Sequence, residues 1–269
     1  MKRYFESCKA EWLKVFTTRS WWVLGLVMVI YVAFTAAVVA GSVGAVMTVD
    51  GQELDAFGAA PMVYALAPTI GYIFPVLLGA LSITVEYRHG TITPTFIWAG
   101  NRSRVLSAKV LVQFLMGMLY GIAGVCAAVA ASVFFFMKAG IPTELGSPEI
   151  WLQFLRTVVD MGIWAVLGVG VGILVRNQAA AIVIVIVFTQ FIEPLARLGA
   201  ALNDQAAAIL SYLPGAASDS FTGNSFYSMV SSAAGYDQLQ WWAGGLVLLG
   251  YAALAVGVGW ATRWRADVA

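Results

Sequence analysis

Charge is what this sequence has least of. Asp, Glu, Lys and Arg make up 11% of the chain, where a soluble domain carries about 25%. With 61% hydrophobic residues, that excludes an ordinary soluble domain. Cysteine is almost missing: Cys8 and Cys126 are too few and too far apart for a disulfide framework, and both read as small apolar side chains. One histidine and two separated cysteines give no metal cluster. No G-x-x-x-x-G-K-[ST] occurs, so the chain has no nucleotide-binding P-loop of its own. Neither H-E-x-x-H nor G-x-S-x-G occurs, which leaves intramembrane hydrolysis without a nucleophile or base. The chain is expected to be non-catalytic, to bind no cofactor or metal itself, and to have no nucleic-acid partner.

What is present is length in apolar runs. Crossing about 30 Å of hydrocarbon takes roughly 20 apolar residues at about 1.5 Å each. Spans are predicted at 21–46, 61–85, 105–137, 151–175, 178–194 and 241–262. The first run is too long for a signal-peptide core and is read as a retained helix. The third is long enough to begin outside the bilayer. The fold class is therefore an all-α polytopic membrane protein, one membrane domain over residues 1–269 with six transmembrane helices. An even number of spans puts both ends on one side.

Charge predicts the side. Segments on the side of the termini hold twelve of the fifteen Lys and Arg residues, among them Lys2, Arg3, Lys9, Lys14 and Arg19, and only four of the fourteen acids. Basic segments resist translocation and meet anionic lipid on the inner face. Both termini are expected to be cytoplasmic, in a multi-pass plasma-membrane protein. Trp21 and Trp22, and Trp241 and Trp242, open the first and last spans as interfacial anchors.

Three segments lie outside the spans. Residues 2–19 set Phe5, Cys8, Trp12, Val15 and Phe16 on one helical face and most charges elsewhere, predicting an amphipathic interfacial helix. Residues 86–104, "EYRHGTITPTFIWAGNRSR", hold three arginines and the only histidine, with Gly90 and Pro94 as interruptions and "AGN" as a turn before span three. A plain connection needs only a few residues, so nineteen with exposed aromatics predict a docking element. Residues 195–240 form the longest outer segment, read as a membrane-dipping hairpin or short helices and too small for a receptor domain.

Polar groups inside spans are costly and take a functional reading by default. Span two has Thr69, Tyr72 and Thr84, with Pro68 and Pro75 able to kink it, and span five has Thr189, Gln190 and Glu193 at its outer end. These six are the candidate substrate path, with Glu193 also placed near the headgroups. Arg156 and Asp160, four apart in span four, are expected to pair. Glycines in "GMLYGIAG" and "GVGVG" predict close helix packing.

The stretch "EYRHGTITPTFIWAGNRSRVLSAKVL" resembles the segment after span two of ABC type-2 exporter permeases, matching at Glu86, Arg88, Gly90, Thr91, Ser103, Arg104 and Lys109. The outer stretch "YLPGAASDSF" is also similar to these permeases. A departure is Gly100-Asn101, where the family often has proline in the turn. The resemblance implies a permease subunit that pairs with a second permease subunit, as homodimer or heterodimer. It implies a cytoplasmic ATP-binding-cassette ATPase as a separate partner, which would hold ATP and Mg. Residues 86–104 would be the coupling helix, with Glu86, Arg88, His89, Gly90, Thr91, Phe96, Trp98, Arg102 and Arg104 as the contact, and residues 2–19 the connecting helix beside it. Spans two and five would line the path, and Glu86 would brace the connecting helix through a basic residue such as Arg19. Few charges near that path favour an amphipathic or hydrophobic substrate moved outward. The alternatives are a secondary transporter, which would show midplane charge pairs and an internal repeat, or a non-transporting scaffold or immunity protein.

Overall fold

The computed structural model describes residues 2–50, 58–99, 101–200, 208–223 and 239–264. Most of these residues are helical, with no strand among them. Helix α1 (Lys2–Thr17) precedes α2 (Ser20–Asp50), the first span. Span two is three collinear pieces, α3 (Ala59–Tyr64), α4 (Leu66–Gly71) and α5 (Ile73–Arg88). The breaks have a local cause. Pro68 and Pro75 lack the N–H that would bond Tyr64 and Gly71, and each piece ends there or one residue on, with Ala65 and Tyr72 still in helical conformation. A short α6 (Ile92–Ala99) leads to α7 (Arg102–Ala139), then α8 (Pro148–Val175). At 38 residues, α7 is about 57 Å long, longer than a bilayer core. Six helices are long and apolar enough to cross a membrane, a finding that agrees with the six predicted spans.

Span five begins as α9 (Gln178–Val187), widens into a π turn (Phe188–Ile192) and continues as α10 (Glu193–Ala200). Pro194 accounts for the widening. It donates no backbone hydrogen bond, and the Glu193 N–H reaches back five residues to the Phe188 carbonyl. The Thr189 carbonyl has lost its usual donor, and the Tyr72 hydroxyl of span two donates to it at 3.1 Å. Helix α11 (Pro214–Thr222) and the last span, α12 (Trp241–Gly259) with a second π turn (Trp260–Trp264), complete the fold. Short helices therefore occupy the described part of the 195–240 segment, and the rest of that segment lies outside the described residues.

Helix α8 sits at the centre, against α5, α7 and α12. Glycine makes the approach possible. A Cβ on Gly79 would run into the Ala165 carbonyl, and one on Gly168 into the Val76 carbonyl. Gly117 and Gly121 of α7 meet Met161 and Val158 in the same way. Trp164 fills the interior beside Tyr72, ring centroids 4.4 Å apart. The expected Arg156–Asp160 pair does not form. Asp160 is fully buried and accepts from the Ser218 hydroxyl at 2.9 Å, while Arg156 lies over the Trp241 ring, 4.4 Å from its centroid. Residues four apart share a face only roughly, and here the tertiary partners win.

Candidate functional site

The 86–104 segment is built by two local signals. Gly90 takes the left-handed conformation, φ 67°, and closes α5: the Gly90 N–H donates to the Tyr87 carbonyl and the Thr91 N–H to the Glu86 carbonyl. That is the Schellman arrangement, for which glycine is the natural residue. Asn101 opens α7, its side chain accepting from the Ser103 and Arg104 N–H groups at 2.9 and 3.2 Å. Between them, Pro94 does not interrupt. It lies in the first turn of α6, where no intrahelical N–H is required. Arg102 and Arg104, expected in a loop, occupy the first turn of α7.

Helix α6 has two faces. Phe96 packs edge-on to the buried Trp264, centroids 5.0 Å apart, beneath the Arg102 guanidinium. The Trp264 indole donates to the Arg102 carbonyl at 2.9 Å. The end of the last span is thus fastened to the start of α7, beside α1 and α6. Ile97 and Trp98 point outward, 78% and 66% exposed. His89, Gly90 and Thr91 are also exposed. Arg88 donates to the Gln178 side chain at 2.9 Å, joining the ends of spans two and five.

Beneath α6 lies a buried charge network. Lys109 of α7 is 2% exposed and spends its three N–H groups on Glu11 Oε2 (2.5 Å), Glu86 Oε1 (2.9 Å) and the Ser82 carbonyl (3.1 Å). Lys14 reaches Glu11 Oε1 (2.6 Å), Glu86 Oε1 (2.9 Å) and the Thr95 hydroxyl of α6 (3.3 Å). Four helices, α1, α5, α6 and α7, meet at two carboxylates and two ammonium groups. Burial pushes the Glu11 carboxyl up, but the Lys109 and Lys14 ammonium groups outweigh it and hold Glu11 below its ordinary value of 4.5. The expected brace on Glu86 exists, but Lys14 and Lys109 supply it rather than Arg19.

The network explains how α1 is held. Its protein-facing strip is Ser7, Glu11 and Val15, all buried, whereas Phe5 of the predicted apolar face is 73% exposed. The aromatic side of α1 faces away from the bundle, as an interfacial helix requires. Cavities of about 340 and 360 Å³ flank the network, one between α1 and α6, the other between α1 and α5. Charge pairing, more than close packing, attaches α1 to the bundle.

Thr84 lies beside the network, two residues from Glu86; the other five candidate path residues lie toward the opposite end, and most of the six are engaged within the protomer. Thr69 donates to Asp219 at 3.5 Å, Tyr72 to the Thr189 carbonyl, Thr189 to the Val185 carbonyl and Thr84 to the Ala80 carbonyl. Glu193 is 1% exposed rather than at the headgroup surface. Its Oε1 accepts from the N–H groups of Gly215 (2.5 Å) and Ala216 (3.2 Å) and from Arg197 (2.9 Å). Arg197 also donates to Asp219 at 2.6 Å, which pins α11 to α10. Gln190 alone of the six is exposed. No metal-binding group of three or more His, Cys, Asp or Glu occurs among the described residues.

Sequence reasoning missed Glu11, Lys14 and Trp264. A usable signal existed for the first: Ser7, Glu11 and Val15 recur every four residues, a strip in which a carboxylate sits on the line of burial.

Six helices long and apolar enough to cross a membrane, with an amphipathic helix along one end, define a polytopic membrane protein. A protein-family model described as ABC-2 family transporter protein matches residues 8–192. The chain belongs to the ABC-2 transporter family. No curated protein matches it.

Proposed function

We propose that the chain is the permease subunit of an ATP-driven exporter, with α6 as the docking surface for a separate cytoplasmic ATPase that holds ATP and Mg. The observation that carries this reading is the Glu11–Lys14–Glu86–Lys109 network. A push on α6 reaches α1 through Thr95 and Lys14, and α5 and α7 through Glu86 and Lys109. Lysine suits such a relay, because its three donors on a flexible stem keep their bonds while helices shift. The neighbouring cavities leave α1 room to tilt. The basic bias of segments at this end supports a cytoplasmic position for it and for both termini, in the plasma membrane. With Thr69, Tyr72, Thr84, Thr189 and Glu193 engaged internally, the wall a substrate meets is apolar apart from Gln190, which favours an amphipathic or hydrophobic substrate. The path runs between two permease subunits.

The test is co-purification from native membranes in mild detergent. Wild type is expected to bring down an ATPase, and Ile97→Asp with Trp98→Ala to lose it while the protein stays folded. A folded wild type that retains no ATPase would overturn the reading.

A further inference from the structure

Two buried acceptors beside the charge network have no donor among the described residues. Glu86 accepts from Lys14 and Lys109 through Oε1, while its Oε2, also buried, accepts nothing. Gln113, one turn further along α7 than Lys109, is 1% exposed, and its Oε1 is unanswered as well. Both residues line the cavity of about 360 Å³ between α1 and α5, a volume within the roughly 300–1,000 Å³ of small-molecule sites. A buried acceptor left without a donor is unfavourable, most of all when it is charged. A ligand that carries N–H donors into the cavity would relieve both.

The walls define the rest of that ligand. Along α5, Leu78, Leu81 and Val85 lead from the polar end toward the hydrocarbon. At the rim are Thr17, Thr18 and Ser20, the turn between the interfacial helix and the first span. Arg19, between the last two, is exposed. We propose that this cavity binds a phospholipid with a primary-amine head, drawn from the leaflet in which α1 lies. Its ammonium group donates to Glu86 Oε2 and Gln113 Oε1, its phosphate meets Arg19, and its chains follow Leu78 and Leu81. The charges select that head. Glu11, Glu86, Lys14 and Lys109 already cancel, so a zwitterion adds no net charge to a desolvated site, whereas an anionic head would face the Glu86 carboxylate. A trimethylated amine has the same charge but no N–H to donate. The depth selects a lipid over a soluble amine, because the site opens where α1 lies along the membrane surface and its wall continues into the bilayer.

The experiment is native mass spectrometry of the purified, delipidated full chain. The probes are phosphatidylethanolamine, phosphatidylcholine and phosphatidylglycerol with identical acyl chains. Phosphatidylethanolamine is expected to bind roughly tenfold more tightly than either of the others, the size of one charge-assisted hydrogen bond. Gln113→Leu replaces the unanswered amide with an apolar side chain and is expected to fold and to bring the ethanolamine and choline lipids near parity. Leu81→Trp is expected to fill the cavity and weaken both. Equal affinity of wild type for the ethanolamine and choline lipids, tighter binding of the glycerol lipid, or a preference unchanged in Gln113→Leu would each overturn the proposal. The wild-type comparison decides the matter even where a variant fails to fold. Lipid binding needs no ATPase, so co-purification is a separate readout. An ATPase retained by a chain without lipid preference would sink the lipid site and leave the permease reading standing, and the converse result would do the reverse.

Discussion

The two buried charge clusters, one at each end of the bundle, are built from different chemistry. Near α1, two lysines and two glutamates balance and tie together four helices from distant parts of the chain. Near α11, one arginine bridges Glu193 and Asp219, and backbone N–H groups supply the remaining donors to Glu193. A guanidinium fork fixes directions as well as distances, whereas an ammonium group fixes only distance. The first cluster tolerates rearrangement and the second resists it. The same division shows in packing: α1 borders two cavities, while α11 approaches so closely that a Cβ on Gly215 would collide with Arg197 and Glu193. On the proposed reading, the adaptable cluster lies at the end that would move with the ATPase and the rigid one at the end that would seal.

The largest expected effect comes from breaking the first cluster at its most buried member. Lys109→Met leaves Glu11 and Glu86 sharing Lys14 alone, and removing one partner from a buried ionic group costs about 3–5 kcal/mol. Thermal unfolding of the purified protein in one detergent would register it, and Glu11→Gln in the same chain should recover part of the loss. Unfolding indistinguishable from wild type would mean the network does not hold α1.

Next comes the contrast between forks and points. Arg197→Lys cannot span both carboxylates in their present places, and losing a buried charged bond costs about 1–3 kcal/mol. Lys14→Arg, at a half-exposed site, should be nearly neutral in the same unfolding assay. Equal losses would erase the distinction between the two ends.

Acid sharpens the comparison further. Glu11 is held below 4.5 in the folded protein and returns to its ordinary value on unfolding, so the folded state binds this proton less readily. Its stabilisation is complete above 4.5 and disappears as pH falls through the lower, folded value. Unfolding temperature followed into that acid range should fall less steeply for Glu11→Gln than for wild type. Parallel curves would show that Glu11 contributes nothing to acid sensitivity.

Legibility in the sequence follows the same line between local and distant causes. The six spans were readable because twenty-odd apolar residues need no partner to be recognised. Gly90 and Asn101 were readable because a turn and a cap are set by neighbours. Glu86 was singled out, but its partners were not: Lys109 looks like a residue opening a span, and Glu11 lies 98 residues from it in the chain. Tyr72 and Thr189, 117 residues apart, were both named as polar residues in spans. Only the π turn at Pro194 explains why one answers the other. Arg156 and Asp160 failed as a pair because helical spacing permits a contact without selecting it over the partners that folding brings.

The smallest effect separates a brace from a docking contact. Arg88 is exposed, and its bond to Gln178 competes with water, so Arg88→Ala should cost under about 1 kcal/mol of stability. Gln178→Ala removes the same bond while leaving the charge in place. If Arg88 serves only to join spans two and five, the two variants behave alike in both unfolding and ATPase co-purification. If Arg88 also meets the ATPase, co-purification falls in Arg88→Ala and holds in Gln178→Ala, with stability equal in both. The charge, not the brace, would then belong to the moving end of the molecule.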